Sequence, residues 1–365
     1  MNRILIATDP AGGVWQYSID LARGLSRLGI ETVLAVFGPA LPERQRALAL
    51  QVPGLSLVET GLDRLAEGGE ARAGAALARL AHDCDVDLIQ LNDPALAAQT
   101  GFGMPVVIVH HSCAATWWEA VNGTVLPNAI AWRTELVAAG LEAADAVVTP
   151  TAAFGESVMQ CYGLAEMPRT VHHGRVPFRG PHAAQHDFVF TAGRLWDEAK
   201  NLDTLDAAAG EVAVPVRAAG PLRGPNGSEI LFDNIDCLGA LDQDSLTRWL
   251  AARPVFVSAA LYEPFGLSVL EAASAGCALI LSDIPTFREL WDGVAVFVPA
   301  RDEHGFTDAI SALVADDFER AVIGRAARDR AARFTPDAMA AQMANIYRGL
   351  LPAVRRPILA AARAA

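Results

Sequence analysis

The segment YEPFGLSVLEAASAG, residues 262–276, places Glu263 and Glu271 with seven residues between them at the start of an apolar helical stretch. Gly276 is a typical helix stop, so we predict a helix that begins near Phe265 and ends before Gly276. The first turn of such a helix has free backbone N–H groups, which attract phosphate. Carboxylates in apolar surroundings are costly unless something binds to them. The segment therefore predicts an anion site with one acid on each side.

Apolar strands separated by helical stretches surround this segment. In the first half they are RILIAT (3–8), ETVLAVF (31–37), LSLVET (55–60), DLIQLN (87–92), PVVIVHH (105–111) and AVVTP (146–150). In the second half they are FVFTAG (188–193), VPVRAAG (214–220), PVFVS (254–258), CALILSD (277–283) and VAVFVP (294–299). Short, continuous apolar strands with helices between them predict parallel sheets covered on both faces.

A stretch rich in Pro, Gly and His, residues 172–187, interrupts this pattern and is predicted to be a linker. We therefore expect two α/β domains, residues 1–178 and 187–340, followed by a C-terminal helix within 341–365. Parallel sheets bind ligands at the carboxyl ends of their strands. The cleft between the two domains is the predicted place for a functional site.

The formal net charge of the 365-residue chain is −13. Because nucleic-acid binding needs a basic surface, this charge argues against nucleic acid as a partner. No apolar run approaches the ~20 residues of a membrane helix, and an apolar strand follows Met1 without a secretory signal. Together with five scattered cysteines, these features predict a cytosolic protein. The C-terminal Arg355, Arg356 and Arg363 either touch an anionic membrane surface weakly or belong to an ordinary solvated helix.

Two cations follow the strand at 188–193, in FTAGRLWDEAKN (190–201). Arg194 and Lys200 could neutralise a diphosphate leaving group; surface charge near a loop is the alternative. Lys200 is the single lysine of an arginine-rich chain. Lysine and arginine are not equivalent where one point charge must meet one oxygen, so we expect a specific role for Lys200.

Gly12 and Gly13 precede the first helix and could let its backbone N–H groups meet an anion or a sugar, although a Gly pair is often only a turn. The pattern is not G-x-G-x-x-G, so the dinucleotide fingerprint is missing.

His110 and His111 end a central strand, where neighbours point to opposite faces, so one metal ion cannot easily bind both. Trp117 and Trp118 either stack on a sugar acceptor or pack at a domain interface.

Taken together, these stretches resemble the family-4 glycosyltransferases, retaining enzymes of the GT-B fold. The strongest match is the Glu, seven residues, Glu signature with F-G-L inside it. AGRLWDEAKN resembles the family's G-R…K-N segment, and GGVWQYSIDLARGLSRLG resembles its Gly-Gly loop and first helix. The likeness covers nearly the whole chain. It implies two Rossmann-like domains that face each other across a cleft, and a last helix that crosses back to the first domain.

The resemblance also implies residue roles. Glu263 would contact the donor sugar at the reacting centre, and Glu271 would bind ribose hydroxyls. The diphosphate would be bound by Arg194, Lys200 and the backbone N–H groups of Phe265, Gly266 and Leu267. The phosphate and acceptor side would be lined by Gly12 and Gly13. His111 matches the family's strand-end histidine, with His110 as the alternative.

The implied reaction moves a sugar from a nucleotide-diphosphate sugar to a glycan, lipid-linked or small-molecule acceptor, with no metal and no cofactor. The alternatives are a nucleotide-sugar epimerase or hydrolase, a nicotinamide-dependent oxidoreductase and a non-catalytic sugar-nucleotide-binding relative.

Two departures from the family pattern stand out. Pro264 follows Glu263 where glycine is common, and VHHGR (171–175) stands where an Asn-Gly pair is common. The nucleotide base, the sugar and the acceptor are not specified by the sequence.

Overall fold

The structure is a computed structural model that describes residues 1–10, 12–64, 66, 68–124, 126–180, 185–224, 227 and 229–351. The C-terminal arginines at 355, 356 and 363 lie outside the described residues. So does most of the predicted terminal helix at 341–365.

The first domain contains a parallel sheet of seven strands in the order β3-β2-β1-β4-β5-β6-β7. The strands are β1 (Arg3–Thr8), β2 (Glu31–Val36), β3 (Leu55–Glu59), β4 (Leu88–Leu91), β5 (Val106–Val109), β6 (Ala146–Thr149) and β7 (Arg169–Thr170). Buried apolar residues cover both faces of this sheet, as the continuous apolar strands predict.

The second domain contains a parallel sheet of six strands in the order β10-β9-β8-β11-β12-β13. The strands are β8 (Val189–Ala192), β9 (Val216–Ala219), β10 (Ile235–Cys237), β11 (Val255–Ser258), β12 (Ala278–Ser282) and β13 (Val296–Val298). Two further apolar clusters enclose this sheet. The edge strands β7 and β10 are absent from the sequence prediction because they are short and lack a continuous apolar run.

The helices lie between the strands, and three of them end the described chain. Those before β8 are α1 (Gly12–Arg27), α2 (Glu43–Leu50), α3 (Gly69–Asp83), α4 (Ala114–Asn122), α5 (Asn128–Glu142) and α6 (Ala152–Tyr162). Those after β8 are α7 (Leu202–Ala209), α8 (Gln243–Ala251), α9 (Leu267–Ala275), α10 (Pro285–Trp291), α11 (Glu303–Ala315), α12 (Asp317–Ala331) and α13 (Pro336–Leu350). Two 3₁₀ turns span Pro94–Ala97 and Glu198–Lys200. Within the described residues, no helix is both long and apolar enough to cross a bilayer.

The last described helix, α13, packs on α1 of the first domain. Gly24 permits the close approach, since a Cβ there would lie 2.4 Å from the carbonyl oxygen of Pro336. The hydroxyl of Tyr347 on α13 donates a hydrogen bond to Gln90 of β4. The chain thus crosses from the second sheet back to the first after α12.

Several contacts join the two domains across the cleft. Glu289 of α10 accepts hydrogen bonds from the backbone N–H groups of Ala152 and Ala153, at 2.9 and 2.8 Å. The carboxylate therefore sits at the N-terminus of α6, where the helix dipole favours negative charge. Thr151 donates from its hydroxyl to the carbonyl oxygen of Pro264 at 2.9 Å. These bonds hold the segment that contains Glu263 against the first domain.

Candidate active site

A cavity of about 230 Å³ lies between the domains, and we call it the cleft cavity. It forms where four segments leave the carboxyl ends of β1, β5, β8 and β11, as expected for parallel sheets. Nine of the site residues predicted from the sequence line this cavity: Gly12, Gly13, His111, Arg194, Lys200, Glu263, Phe265, Gly266 and Leu267. Residues far apart in the chain therefore meet around one space.

Lys200 and Glu263 form an ion pair in the wall of this cavity. Each side chain is only 16% exposed, so water screens the pair less than it screens a surface pair. Asn201 fixes the turn that carries Lys200. It adopts a positive φ of 53°, and its Nδ2 donates to the carbonyl oxygens of Ala259 and Ala300 at 2.9 and 2.6 Å.

Arg194 lies at the rim, with its side chain 54% exposed, and its Nη2 is 2.7 Å from Oδ2 of Asp197. Trp117 of α4 donates from its indole N–H to Oδ1 of the same carboxylate at 2.9 Å. Burial alone would raise the pKa of Asp197, but Arg194 and the Trp117 hydrogen bond lower it below its usual value. Trp117 thus joins α4 to the second domain. Of the two alternatives for this residue, stacking on an acceptor or packing at a domain interface, the structure shows the interface contact. Trp118 instead donates to Thr124 within its own domain.

The N-terminus of α9 opens onto the cleft cavity. Its N-cap, Gly266, has a φ of 87° and makes no side-chain cap hydrogen bond. A Cβ at this position would lie 3.1 Å from the ring of Phe287, so conformation and space both favour glycine. The N–H groups of the first turn are available to an anion. The helix begins at Leu267, two residues after the predicted start.

His111 lines the cavity between two hydrogen-bond partners. Its Nδ1 is 3.2 Å from Nε2 of His173, and its Nε2 is 3.1 Å from Oδ1 of Asn92. Burial, followed by the charges of His173 and His110, lowers the pKa of His111 well below its ordinary value. Burial also lowers the pKa of His173 to about 3. Both rings are therefore neutral near pH 7.

His110 points the other way, as the alternation along a strand predicts. It is 1% exposed and stacks on Phe154, with ring centroids 5.7 Å apart. His110 is absent from the lining of the cleft cavity, whereas His111 is present.

Glu271 does not line the cleft cavity. It lies one turn further along α9, in an adjoining cavity of about 330 Å³ that we call the side cavity. Trp15 and Ile19 of α1, Arg175 and Phe178 of the linker, and Gln243 of α8 also line this space. The N-terminus of α9 thus separates the two glutamates of the signature, with one cavity on each side.

Arg175 binds the carboxylate of Glu271 through Nε, at 3.0 Å, and through Nη2. Its Nη1 donates to Asp20 of α1 at 2.7 Å. The guanidinium is 9% exposed and Asp20 is fully buried. Burial alone would lower the pKa of Arg175, but Glu271 and Asp20 raise it further than burial lowers it. The linker therefore fixes the position of Glu271 and connects it to the first domain through Asp20.

Sequence reasoning missed Arg175, Asp20 and His173 as site residues. The sequence does mark His173 and Arg175, because VHHGR (171–175) stands where an Asn-Gly pair is common in the family that the chain resembles. Asp20 carries no such signal, since its position in an amphipathic helix is typical of a solvated face.

A third cavity, of about 180 Å³, adjoins His111 on the first-domain side, and Asp9, Asp93 and Arg133 line it. Arg133 donates to Asp93 at 2.6 Å and to Glu70 at 3.0 Å. Arg64 donates to Asp9 at 2.6 Å and to Asp93 at 2.8 Å. Two arginines thus connect three carboxylates beside the cleft. The sequence gives no sign of this network, because its members are far apart in the chain.

Comparison with known proteins identifies the class. The model of the family described as "Glycosyltransferase Family 4" matches residues 11–176, and that described as "Glycosyl transferases group 1" matches residues 186–316. A phosphatidyl-myo-inositol mannosyltransferase of Mycobacterium leprae is 24% identical over 92% of this chain and 96% of its own length. A D-inositol 3-phosphate glycosyltransferase of Xylanimonas cellulosilytica is 25% identical over 93% of this chain and 92% of its own.

Solved structures share the fold. Sucrose-phosphate synthase from Thermosynechococcus elongatus superposes with a TM-score of 0.77 at 20% identity, covering 96% of this chain and 99% of that one. HepE from Anabaena, solved in complex with UDP-glucose, has a TM-score of 0.74 at 19% identity, covering 95% and 100%. The fold is the GT-B fold of glycosyltransferases. The chain belongs to the family-4 glycosyltransferases and is an enzyme that transfers sugars. The predicted fold class and family are confirmed.

Proposed function

We propose that this enzyme transfers a sugar from a nucleotide-diphosphate sugar to a hydroxyl acceptor with retention of anomeric configuration and without a metal ion. One observation carries the proposal: Lys200, Arg194 and the N-terminus of α9 surround the cleft cavity, and Glu263 lies in its wall. Two cations and a helix N-terminus match the charge of a diphosphate.

The side cavity would hold the nucleoside. Glu271 projects into it, and a carboxylate accepts hydrogen bonds well from the two hydroxyls of a ribose. Apolar side chains such as Trp15 and Ile19 offer a surface for a base. The diphosphate would then cross the N-terminus of α9, and the donor sugar would reach Glu263.

In this arrangement Lys200 and Arg194 stabilise the negative charge that develops on the diphosphate as the sugar leaves. Positively charged side chains fill this role where a divalent cation is not used. The diphosphate would draw Lys200 away from Glu263, which frees the carboxylate for sugar hydroxyls. The acceptor attacks from the face that the diphosphate leaves, and a leaving-group oxygen takes the acceptor proton. No separate base is required.

The acceptor would enter from the first domain, beside neutral His111 and the cavity that Asp93 and Arg133 line. Carboxylates and guanidinium groups in that cavity can accept from and donate to a polyol. Two of the matched relatives have names that include inositol derivatives. Inositol and its phosphates are therefore the first acceptors to assay. A cytoplasmic location stays a prediction, as does a weak membrane contact through the C-terminal arginines.

A binding measurement tests the donor class. Thermal stability is measured against UDP, GDP, ADP and their sugar conjugates, each with magnesium and with EDTA. A ligand at 100 times its dissociation constant stabilises by about 2.7 kcal/mol, which gives a visible shift. We expect one nucleotide to shift the transition equally in magnesium and in EDTA. A folded protein that responds to none of them would contradict the proposal.

A product assay then separates transfer from the alternatives. The stabilising nucleotide sugar is incubated with and without an acceptor panel. A transferase forms a new glycoside only with an acceptor. Release of free sugar, or an epimerised nucleotide sugar without acceptor, would favour a hydrolase or an epimerase instead.

A further inference from the structure

A cavity of about 230 Å³ lies at the other end of α9, away from the cleft. Four arginines from two segments line this arginine cavity: Arg253, Arg320, Arg325 and Arg328. Arg253 follows α8, and the other three belong to α12. Because α9 has nine residues, about 14 Å of helix separates this cavity from the N-terminus that faces the cleft.

Two guanidinium nitrogens here are buried without a hydrogen-bond partner among the described residues: Nε of Arg253 and Nη1 of Arg320. The Arg320 side chain is only 3% exposed. Its Nη2 is already bound by Asp187 and Asp317. A buried donor without a partner is costly, so an acceptor from outside the described chain that reached Nη1 would be stabilised there.

Charge indicates the sign of that acceptor. Four guanidinium groups line the cavity, and none of its described lining residues is acidic. The C-terminus of α9 contributes about half a negative charge, which is small beside four guanidinium groups. Elsewhere the chain is acidic, with a formal net charge of −13. The cavity is therefore a positive site on a negative protein.

Capping of α9 is the simpler explanation for arginines at this place, and it does not account for them all. In the last turn of α9, the carbonyl oxygens of Ala273 and Ala272 already accept hydrogen bonds from the backbone N–H groups of Gly276 and Cys277. Nη1 of Arg320 donates neither to these carbonyls nor to any other acceptor among the described residues. A helix end with its own cap does not require four additional cations.

We propose that the arginine cavity binds a phosphoryl oxyanion, at a site separate from the cleft. Guanidinium groups match the oxygens of a phosphoryl group in geometry and charge, and several arginines together are typical of phosphate recognition. The volume exceeds that of a single water many times over, so a phosphoryl group with further atoms attached can enter. Such a group can belong to a soluble phosphate compound or to a lipid headgroup. Phe318 and Val322, both exposed on α12, lie close enough along the helix to border a lipid-bound site.

The test uses inorganic phosphate and pyrophosphate as soluble probes, with binding measured by calorimetry. The double variant Arg325→Gln/Arg328→Gln removes two exposed arginines of the cavity. Arg223→Gln/Arg348→Gln removes the same charge from exposed arginines elsewhere. Lys200→Ala marks binding in the cleft. We expect the cavity variant to bind at least tenfold more weakly, and the charge-matched control and Lys200→Ala to bind this site like the wild type.

A second arm uses vesicles of phosphatidylcholine with and without phosphatidylglycerol, measured by co-sedimentation. If the control variant still binds anionic vesicles and the cavity variant does not, the phosphoryl group is assigned to a lipid. Loss of soluble-probe binding alone would assign it to a soluble compound. If both arginine variants behave alike in both arms, or if only Lys200→Ala loses probe binding, the proposal is wrong.

Discussion

Lys200 and Glu263, 63 residues apart in the chain, form an ion pair in the wall of the cleft cavity. The pair joins the turn after β8 to the segment after β11, two strands that are neighbours in the second sheet. Neither side chain is more than 16% exposed. Under the proposed function, a diphosphate in the cavity would compete with Glu263 for the single lysine of the chain.

Lys200→Ala is expected to reduce sugar transfer by about 100-fold or more while the protein stays folded. Removal of one group that stabilises transition-state charge has an effect on this scale. Lys200→Arg is expected to restore only part of the activity, because the guanidinium spreads its charge over a larger group. Initial rates and thermal unfolding are measured on both variants.

Arg223→Ala serves as the control, since it breaks an exposed ion pair with Glu229 in the same domain. This variant should transfer sugar at the wild-type rate. Normal activity in Lys200→Ala would remove Lys200 from the site.

Glu271→Ala is expected to weaken nucleotide binding by about tenfold, or about 1.4 kcal/mol, because a carboxylate that accepts from ribose hydroxyls is lost. A 2′,3′-dideoxynucleotide should bind the variant as well as the ordinary nucleotide does, whereas the wild type should distinguish them. Calorimetry measures the four affinities. Glu229→Ala is the matched control. Unchanged affinity for the ordinary nucleotide in Glu271→Ala would contradict the ribose role.

Arg175 is expected to act through Glu271 as a positioning residue. Arg175→Met should weaken nucleotide binding and reduce the preference for ribose over dideoxyribose, because Glu271 loses the group that orients it. In a Glu271→Ala background, Arg175→Met should add little further loss, since coupled residues are non-additive. Additive losses, with the ribose preference kept in Arg175→Met, would indicate a purely structural role for Arg175.

His173 is expected to make the stability depend on pH. Its folded pKa of about 3 lies below the ordinary 6.5, so the unfolded chain binds the extra proton first. Stability from the neutral ring is therefore complete above pH 6.5 and is lost as the pH falls from there towards 3. At about pH 5 the loss is on the order of 2 kcal/mol.

His173→Asn removes this group and introduces the asparagine that is common in the family. Urea unfolding at about pH 7.5 and about pH 5 should show a smaller pH effect in the variant than in the wild type. His304→Asn is the control, because the His304 side chain is 83% exposed. An equal pH effect in His173→Asn and in the wild type would contradict the prediction.

The buried strands and their division between two domains could be predicted, because each of these strands is a continuous apolar run. The short edge strands β7 and β10 could not, since an edge position requires little apolar sequence. Asp242 caps α8, because its side chain accepts from the N–H of Ser245 three residues later. Such local features depend on neighbouring residues only, and the sequence contains them.

The meeting of Lys200, Arg194 and the α9 N-terminus could be expected once their strands were placed in one sheet. The separation of Glu263 and Glu271 into two cavities could not, because spacing along a helix does not report what surrounds each turn. Arg175 depends on the path of the linker, which the sequence does not specify. Sequence reasoning thus located the charged groups of the site but missed Arg175, which holds Glu271 in place.

The most direct test of the central claim is the anomeric configuration of the product, determined by proton NMR in the presence of EDTA. The donor is the nucleotide sugar that stabilises the protein, and the acceptor is the one that gives a new glycoside. We predict a glycoside with the same anomeric configuration as the donor, formed at an unchanged rate without metal. An inverted product, or transfer that stops in EDTA and returns with magnesium, would contradict the proposed mechanism.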